Sequence, residues 1–377
     1  MKFGTQNIQK LQYKNKIEHN LRIFILISII LIASGLIFIY SSSSVLALAQ
    51  HGTSNYFVKK QLLGVILGLF TILIINSIPL EYIKKYTPLF FLSSLLLTTL
   101  TLLKKTSMTI HGSSRWLSVL GISIQPGELL KISFVLYVSY LLIKKKEYLK
   151  TFRNGYLPFL LILGLTSLIL LAQPDFGLTI TLTITTLIML FLAEFNTIHL
   201  LLSIGAFIPI VALLIYAKPY RWKRILTFLN PWNDPQGAGF QIIQSLIAVG
   251  SGHIWGIGIA HSKQKFFYLP MQHTDFIFSI IAEETGFIGS SMIIILYMLF
   301  LVYGLRIALQ LENRFCAYAV AGFVFMTSLQ AAINILVVTG LLPTKGLGLP
   351  FISYGLSSLV CNMLMLGIII NMSRNNY

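Results

Sequence analysis

Apolar runs long enough to cross a bilayer recur along this chain, at 21–40, 57–78, 87–103, 127–143, 156–173, 176–194, 198–217, 276–305, 315–341 and 351–372. A hydrocarbon core of about 30 Å takes roughly 20 apolar residues per helix, and it forbids backbone polar groups left without partners. Few folds remain open to such a sequence. The expected class is an all-α polytopic membrane protein with ten transmembrane helices. Composition agrees: 56% of the 377 residues are hydrophobic and only 10% charged, whereas charge makes up about a quarter of an ordinary soluble domain. A net charge of +17 would suggest nucleic acid in a soluble chain. Here the basic residues collect in the connections between apolar runs, so membrane lipids are the expected partners and nucleic acid is not. Cys316 and Cys361 both fall inside predicted spans, which argues against a disulfide framework and against a zinc site.

The run at 21–40 follows basic residues but is not followed by a small-x-small cleavage site. It reads as a first span and not as a removed signal peptide, with the serines at 41–44 as its polar end. Placing the N-terminus inside puts Lys84-Lys85 and Lys144-Lys145-Lys146 in inner segments. The short outer loops then hold only Lys59, Lys60, Lys104, Lys105, Arg115 and Lys345. The positive-inside rule therefore favours N-in/C-in. The expected organisation is a cytoplasmic tail at 1–20, a ten-helix domain at 21–372 and a cytoplasmic end at 373–377. A large extracytoplasmic loop at 218–274 joins helices seven and eight. Lys144-Lys145-Lys146 reads as a topology anchor that also favours anionic lipid.

The chemistry concentrates at 263–289, where a basic, aromatic segment runs into an apolar helix with Asp275 at the junction. Glu283 and Glu284 lie within the expected membrane, where charges are costly and mark function. With Phe276 as first helical residue, Asp275, Ser279, Ala282, Glu283 and Gly286 share one face, which should look into the bundle. The preceding loop is rich in aromatics (Tyr220, Trp222, Phe228, Trp232, Phe240, Trp255, Phe266, Phe267, Tyr268) and in glycine, so it reads as functional and not disordered. Within it, 240–250 suits an amphipathic or re-entrant helix, and the glycines at 250–258 suit close backbone approach. Arg221, Lys223 and Arg224 open the loop and Lys263 and Lys265 close it. Each alone is explained by snorkelling to lipid phosphates. Two such clusters around one exposed carboxylate suggest a site for an anionic, lipid-linked substrate, with cations on phosphate and Asp275 handling a proton.

Other candidates carry two readings each. His273 either tunes Asp275 and positions substrate or is structural. Glu128 and Lys131, three apart, form a catalytic or a structural ion pair. Arg115-Trp116 suits an interfacial anchor. Asp175, in Gln173-Pro174-Asp175-Phe176-Gly177, must sit at the membrane edge, and turn chemistry alone accounts for it equally well.

His273-Thr274-Asp275-Phe276-Ile277-Phe278, followed by Ala282-Glu283-Glu284 and Gly286, resembles the signature of the SEDS family (FtsW, RodA, SpoVE). Around it fit Ser114-Arg115-Trp116, Gln125-Pro126, Glu128, Lys131, Gln173-Pro174-Asp175, Asn230-Pro231-Trp232 and Asp234-Pro235. Leu342-Pro343-Thr344-Lys345-Gly346 and Pro350-Phe351-Ile352-Ser353-Tyr354-Gly355 complete the match, and the Thr-Lys-Gly variant looks more like FtsW than RodA. The chain departs from the pattern at Gly127, at Leu356 and at Met271-Gln272, where the family commonly has Ser, Gly and Glu-Ala.

The resemblance implies a peptidoglycan glycosyltransferase of the bacterial inner membrane that polymerises lipid II on the outer face for septal wall synthesis. It also implies a class B penicillin-binding protein and other divisome membrane proteins as partners. Asp275 matches the presumed catalytic residue. Arg115, Trp116, Glu128, Lys131 and Asp175 match residues that line or support the cavity, and Ser353 lies in the last motif. No cofactor is firmly implied; Mg²⁺ or Mn²⁺ would come with the substrate pyrophosphate. One carboxylate is enough for such a reaction, because pyrophosphate leaves without a general acid when cations stabilise it. A single inverting displacement then needs one base, on the acceptor hydroxyl. The rivals are a lipid II flippase that uses the intramembrane charges, a RodA-like role in elongation, and a scaffold.

Overall fold

A computed structural model describes residues 2–103, 107–110, 113–119, 122–266 and 268–375. Lys104, Lys105 and Phe267, noted above, lie outside the described residues. The elements run in the order α1 Lys2–His51, α2 Tyr56–Asn76, α3 Leu80–Leu100, β1 Ser107–Ile110, β2 Ser113–Val119, β3 Ile122–Ile124 and α4 Pro126–Lys144. They continue as α5 Leu157–Ala172, α6 Phe176–Leu192, α7 Thr197–Tyr216, α8 Pro219–Leu229, α9 Phe240–Ser251, α10 Ile277–Gln310, α11 Arg314–Val338 and α12 Leu356–Arg374. Each of the ten apolar runs is helical. Eight of these helices are long and apolar enough to cross a membrane. The other two are α3, which carries Glu81 at its start, and α6, which has 17 residues.

Burial sorts the helices into layers. In the most apolar stretches of α4, α11 and α12, 78%, 72% and 78% of residues are buried, against 6% in α7. The first three therefore form the centre, and α7 stands at the rim with its apolar side chains turned outward. Central helices approach closely where one side chain is absent: a Cβ on Gly322 of α11 would meet Met189 and Val135 at 2.7 Å. Small residues at crossings are how helices gain van der Waals contact where lipid supplies no hydrophobic drive.

Four features depart from the sequence expectation. The connection between α3 and α4 is an antiparallel ribbon, β1-β2-β3, with Met108 opposite Trp116 and Leu117 opposite Ile124. Its β-branched and aromatic residues suit a pleated surface. The first helix does not end at 41–44 but runs on to His51. Ser42, Ser43 and Ser44 donate to carbonyls three or four residues back, as with Ser43 Oγ to Ile39 O at 2.6 Å, while Ser41 donates to Glu284. Helix α8, rich in both Arg/Lys and aromatics, occupies a stretch for which the sequence suggested no element, whereas α9 falls where 240–250 was read as helix. Finally, Asp275 precedes α10, whose N-cap is Phe276. It therefore does not share a helical face with Ser279, Ala282, Glu283 and Gly286, although all four are buried as expected.

Helix α10 is broken at Gly286, where φ is 65° and ψ −162°. The glycine loop before it supplies the partners that the break frees. Phe287 N donates to His253 O at 2.8 Å and Ile288 N to Ile254 O at 3.2 Å. In return Ile257 N reaches Glu283 O at 3.1 Å and Gly258 N reaches Glu284 O at 3.0 Å. Contact this close needs Gly256, since a Cβ there would lie 2.2 Å from Glu284 O. A broken helix at membrane depth is tolerated only when its backbone is satisfied in this way. Gly286→Ala should therefore cost about 1–3 kcal/mol from its left-handed φ alone. The clash of its Cβ with Gly256 N at 2.3 Å adds to that cost, and thermal unfolding in detergent should show a clear fall in Tm.

Candidate active site

The site is built on one tripeptide. The carbonyls of His273, Thr274 and Asp275 are each held by a different donor. Tyr354 N donates to His273 O at 2.9 Å, Ser353 Oγ to Thr274 O at 2.6 Å and Asn334 Nδ2 to Asp275 O at 2.7 Å. Ser353 Oγ also accepts from Leu349 N at 2.7 Å. Gln61 of α2 braces the same segment from outside, donating to Ser353 O at 3.3 Å and accepting from Gly355 N at 3.1 Å. The main chain under Asp275 is thus fixed from α2, α11 and the α11–α12 connection together.

Its carboxylate is left free. Among the described residues no donor lies within hydrogen-bond distance of it, and a Cβ on Gly346 would come to 3.4 Å from Oδ2. Burial pushes the Asp275 carboxyl up to about 6; Arg115 and Arg224 act against the shift and Asp175 with it. Such a group is ionised above that pH yet basic enough to take a proton, which is the requirement for a general base.

The surrounding cations divide into two groups. Arg115 grips the α5–α6 turn: it donates to Gln173 O at 3.3 Å and to Pro174 O, and its Nε lies 3.6 Å from Asp175. Asp175 caps α6 by accepting from Leu178 N at 3.1 Å. Burial raises its carboxyl, against the pull of Arg115. Trp116 follows on β2, half-buried. Arg224 is exposed, donates to Thr344 O at 3.1 Å and acts electrostatically on Asp275. Lys345 was read in the sequence as an outer-loop cation and as part of the Thr-Lys-Gly motif, without a role at the site. It lies 5.4 Å from the Phe176 ring centroid, beside Arg221 at 5.0 Å, and burial lowers its ammonium to about 8.

Several candidates turn out to be engaged elsewhere. Arg221 is buried and donates to Leu214 O and to the Tyr220 hydroxyl, both at 2.9 Å, so it closes the end of α7. Lys265 is buried beside Glu284, 3.8 Å away, and donates to Ala260 O; it is a counter-ion and not a free phosphate ligand. Glu283 accepts from Lys263 N at 3.0 Å and from the Ser262 hydroxyl, so it staples the loop to α10 and does not face Asp275. The Lys263 side chain is exposed, with no ion pair to Asp275 among the described residues. Glu128 and Lys131 form an ion pair at 2.7 Å, and Lys131 also donates to Gln330 at 3.1 Å. His273 packs on Phe57 and Tyr354, with ring centroids 4.7 and 5.5 Å away. Burial holds its imidazole down at about 4, so it is neutral near pH 7 and serves the packing. Among the described residues no three His, Cys, Asp or Glu side chains converge on a metal position.

Reading the sequence missed Lys345, Gln330, Asn334 and Gln272. The last donates to Ser42 O at 2.7 Å and to Lys265 O at 3.0 Å. The two α11 amides had a usable signal, a polar residue recurring four apart inside an apolar run.

An α-helical membrane protein with a desolvated carboxylate at the mouth of a broken helix, flanked by cations, is the class that fold and site define. Residues 21–377 match the model of the FtsW/RodA/SpoVE family, described as cell cycle proteins, and the chain belongs to that family. It is 38% identical over 352 residues to the probable peptidoglycan glycosyltransferase FtsW of Geobacter sp. (strain M18), covering 93% of this chain and 96% of the relative. It is equally 38% identical to stage V sporulation protein E of Bacillus subtilis (strain 168), over 356 residues, 93% of this chain and 96% of the other. Among solved structures, one described as a peptidoglycan synthase complex that coordinates polymerization and crosslinking matches with TM-score 0.76 and 27% identity, over 94% of this chain and 97% of that one. The rod shape determining protein RodA of Thermus thermophilus shares the fold, with TM-score 0.70 and 24% identity over 94% and 96% of the two chains.

The raised Asp275 carboxyl has a consequence for stability. A folded pKa above the unfolded value means that the protonated form fits the site better. The stability it contributes is complete below about pH 4 and is lost as pH rises through about 6. Asp275→Asn keeps the shape without the charge. At pH 7–8 the variant should be more stable than wild type by about 1–2 kcal/mol, discounted for partial exposure, and the difference should vanish near pH 4. Thermal unfolding of both proteins across that pH range measures it.

Proposed function

We propose that this chain is a peptidoglycan glycosyltransferase that polymerises lipid II by single inverting displacement, with Asp275 as general base. The observation that carries this reading is the unpaired, desolvated Asp275 carboxylate on a rigid main chain, with cations beside it. In the reaction, Asp275 takes the proton of the acceptor sugar hydroxyl. The hydroxyl oxygen bonds to the anomeric carbon as the bond from that carbon to pyrophosphate breaks, and the lipid pyrophosphate leaves. Arg224 and Lys345 are placed to stabilise the charge on that leaving group. Arg115 and Asp175, paired at 3.6 Å, act on the Asp275 carboxylate electrostatically.

All ten helices of the apolar runs cross the membrane in this reading, α3 and α6 included, with both termini in the cytoplasm and the 218–274 loop outside. Basic residues at 144–146 and 84–85 support that orientation. The similarity to FtsW relatives supports a septal role in the bacterial inner membrane. Likeness to a complex that joins polymerization to crosslinking supports a class B transpeptidase as partner.

A flippase gains little from the intramembrane charges. Glu128 is paired with Lys131 and Lys265 with Glu284, while Glu283 is bound to the 262–263 loop. Among the described residues, charges already paired inside the protein leave no free cation there for a passing pyrophosphate.

The test is polymerisation of purified lipid II in detergent by the purified protein with its cognate transpeptidase. Wild type should give glycan chains. Asp275→Asn, folded and more stable, should fall by at least about 100-fold, as expected for loss of a general base. The wild-type rate should rise across a limb near pH 6 as the base ionises. Chains from both proteins would discard Asp275, and none from wild type would discard the polymerase.

A further inference from the structure

Two amides on α11 each reach more than one partner at the site. Gln330 and Asn334 are four apart, hence on one helical face, and they are 5% and 2% exposed. Asn334 Nδ2 donates to Asp275 O at 2.7 Å and to Leu347 O at 2.6 Å. Gln330 Nε2 donates to Gly348 O at 2.9 Å while its Oε1 accepts from Lys131 Nζ at 3.1 Å. One face of α11 therefore holds three main-chain carbonyls, one beneath the Asp275 carboxylate and two in the segment that follows Lys345 and Gly346.

We infer that Asn334 is a positioning residue for the base: its side-chain amide sets where the Asp275 carboxylate stands relative to the loop that carries Lys345. Gln330 ties that loop to the buried Glu128–Lys131 pair. The inference rests on the reading of Asp275 as base. Both partners of Asn334 Nδ2 are carbonyls, which only accept, so the orientation of the amide is fixed. In that orientation Oδ1 is buried with no partner among the described residues. A buried acceptor without a donor opposes stability, so packing alone gives no reason for asparagine here. The geometry it imposes does. It joins the base, whose position decides proton transfer, to the loop whose cation faces the leaving group.

Other charges around Asp275 come from Arg115 of β2, Arg224 of α8 and Asp175 before α6. Neutral His273 and Lys345 flank them. Changing Asn334 removes none of these charges and alters how the carboxylate sits relative to them and to the Lys345 loop.

The experiment compares wild type, Asn334→Leu, Asn334→Ser and Gln330→Leu as full-length proteins with the cognate transpeptidase. Two readouts are taken: kcat and KM for lipid II across pH, and the pH dependence of carbodiimide labelling of Asp275 by mass spectrometry, which needs no turnover. We expect Asn334→Leu to lower kcat about 10- to 100-fold, the size of effect that small misplacements produce, with KM within about two-fold of wild type and the labelling midpoint displaced. Asn334→Ser, which keeps one donor, should fall between, and it carries the test if the Leu variant does not fold. Gln330→Leu should show the kcat loss in weaker form.

Unchanged kcat and labelling in both Asn334 variants would overturn the inference. So would a loss of kcat, KM and thermal stability together with an unmoved labelling midpoint, which would mark a merely structural residue. A displaced midpoint in a protein whose wild type makes no glycan would sustain the positioning role and reject the polymerase reading instead.

Discussion

The constraint on which the rest of this structure depends is the capture of three successive carbonyls, those of His273, Thr274 and Asp275. Backbone groups just outside a helix start have no intrahelical partner and must find one. Here the partners come from Tyr354, Ser353 and Asn334, on two separate parts of the chain. Once those bonds are made, the α11–α12 connection, the start of α10 and the face of α11 cannot move independently. Among the described residues the Asp275 carboxylate then has no hydrogen bond, and it projects from a backbone held at three carbonyls. A rigid support under a free carboxylate is what preorganised proton transfer needs.

The intramembrane charges follow a different logic. Glu128 with Lys131, and Lys265 with Glu284, are buried pairs, and desolvation on that scale leaves little net stability. Their value lies in direction. Lys131 is held between Glu128 and Gln330, and Gln330 reaches the main chain of Gly348. Glu283 and Glu284 bind Ser262, the backbone of Lys263 and Ser41, which pins the glycine loop where Gly286 opens α10. The buried charges therefore each help to fix a loop. The sequence marks the charges as exceptional, and the structure shows each of them engaged with another side chain or a loop.

Much of the fold was legible because hydrophobicity is a long signal. Ten runs of about 20 residues located ten helices. What escaped were features set by single contacts. The helix break at Gly286 depends on Gly256 and on carbonyls about thirty residues earlier, which no local pattern reveals. The β1-β2-β3 ribbon is short and was hidden among interfacial residues. Asp275, Arg115, Asp175 and Arg224 drew notice in the sequence because charges at a membrane edge stand out, and the structure brings the other three within electrostatic reach of Asp275. Arg221 and Lys265 stood out for the same reason and were assigned too much, since charge in sequence does not say which carbonyl or carboxylate has already claimed it. Asn334 and Gln330 were overlooked because neutral amides raise no alarm on a charge count, although burial makes their hydrogen bonds just as obligatory.

In the proposed reaction one carboxylate, Asp275, serves where glycosidases use two. A carboxylate held by hydrogen bonds would be a weak base, because each donor favours the ionised form and lowers its pKa. This one has no such bond, so burial prevails over Arg115 and Arg224. The cations are close enough to act on it electrostatically, but none pairs with it. Arg115 is occupied by the 173–175 turn and Arg224 by Thr344. Had either closed on Asp275, the site would be more stable and the base weaker. Anchoring Arg115 and Arg224 on main-chain oxygens keeps both from closing on the carboxylate, which is the arrangement the proposed proton transfer requires.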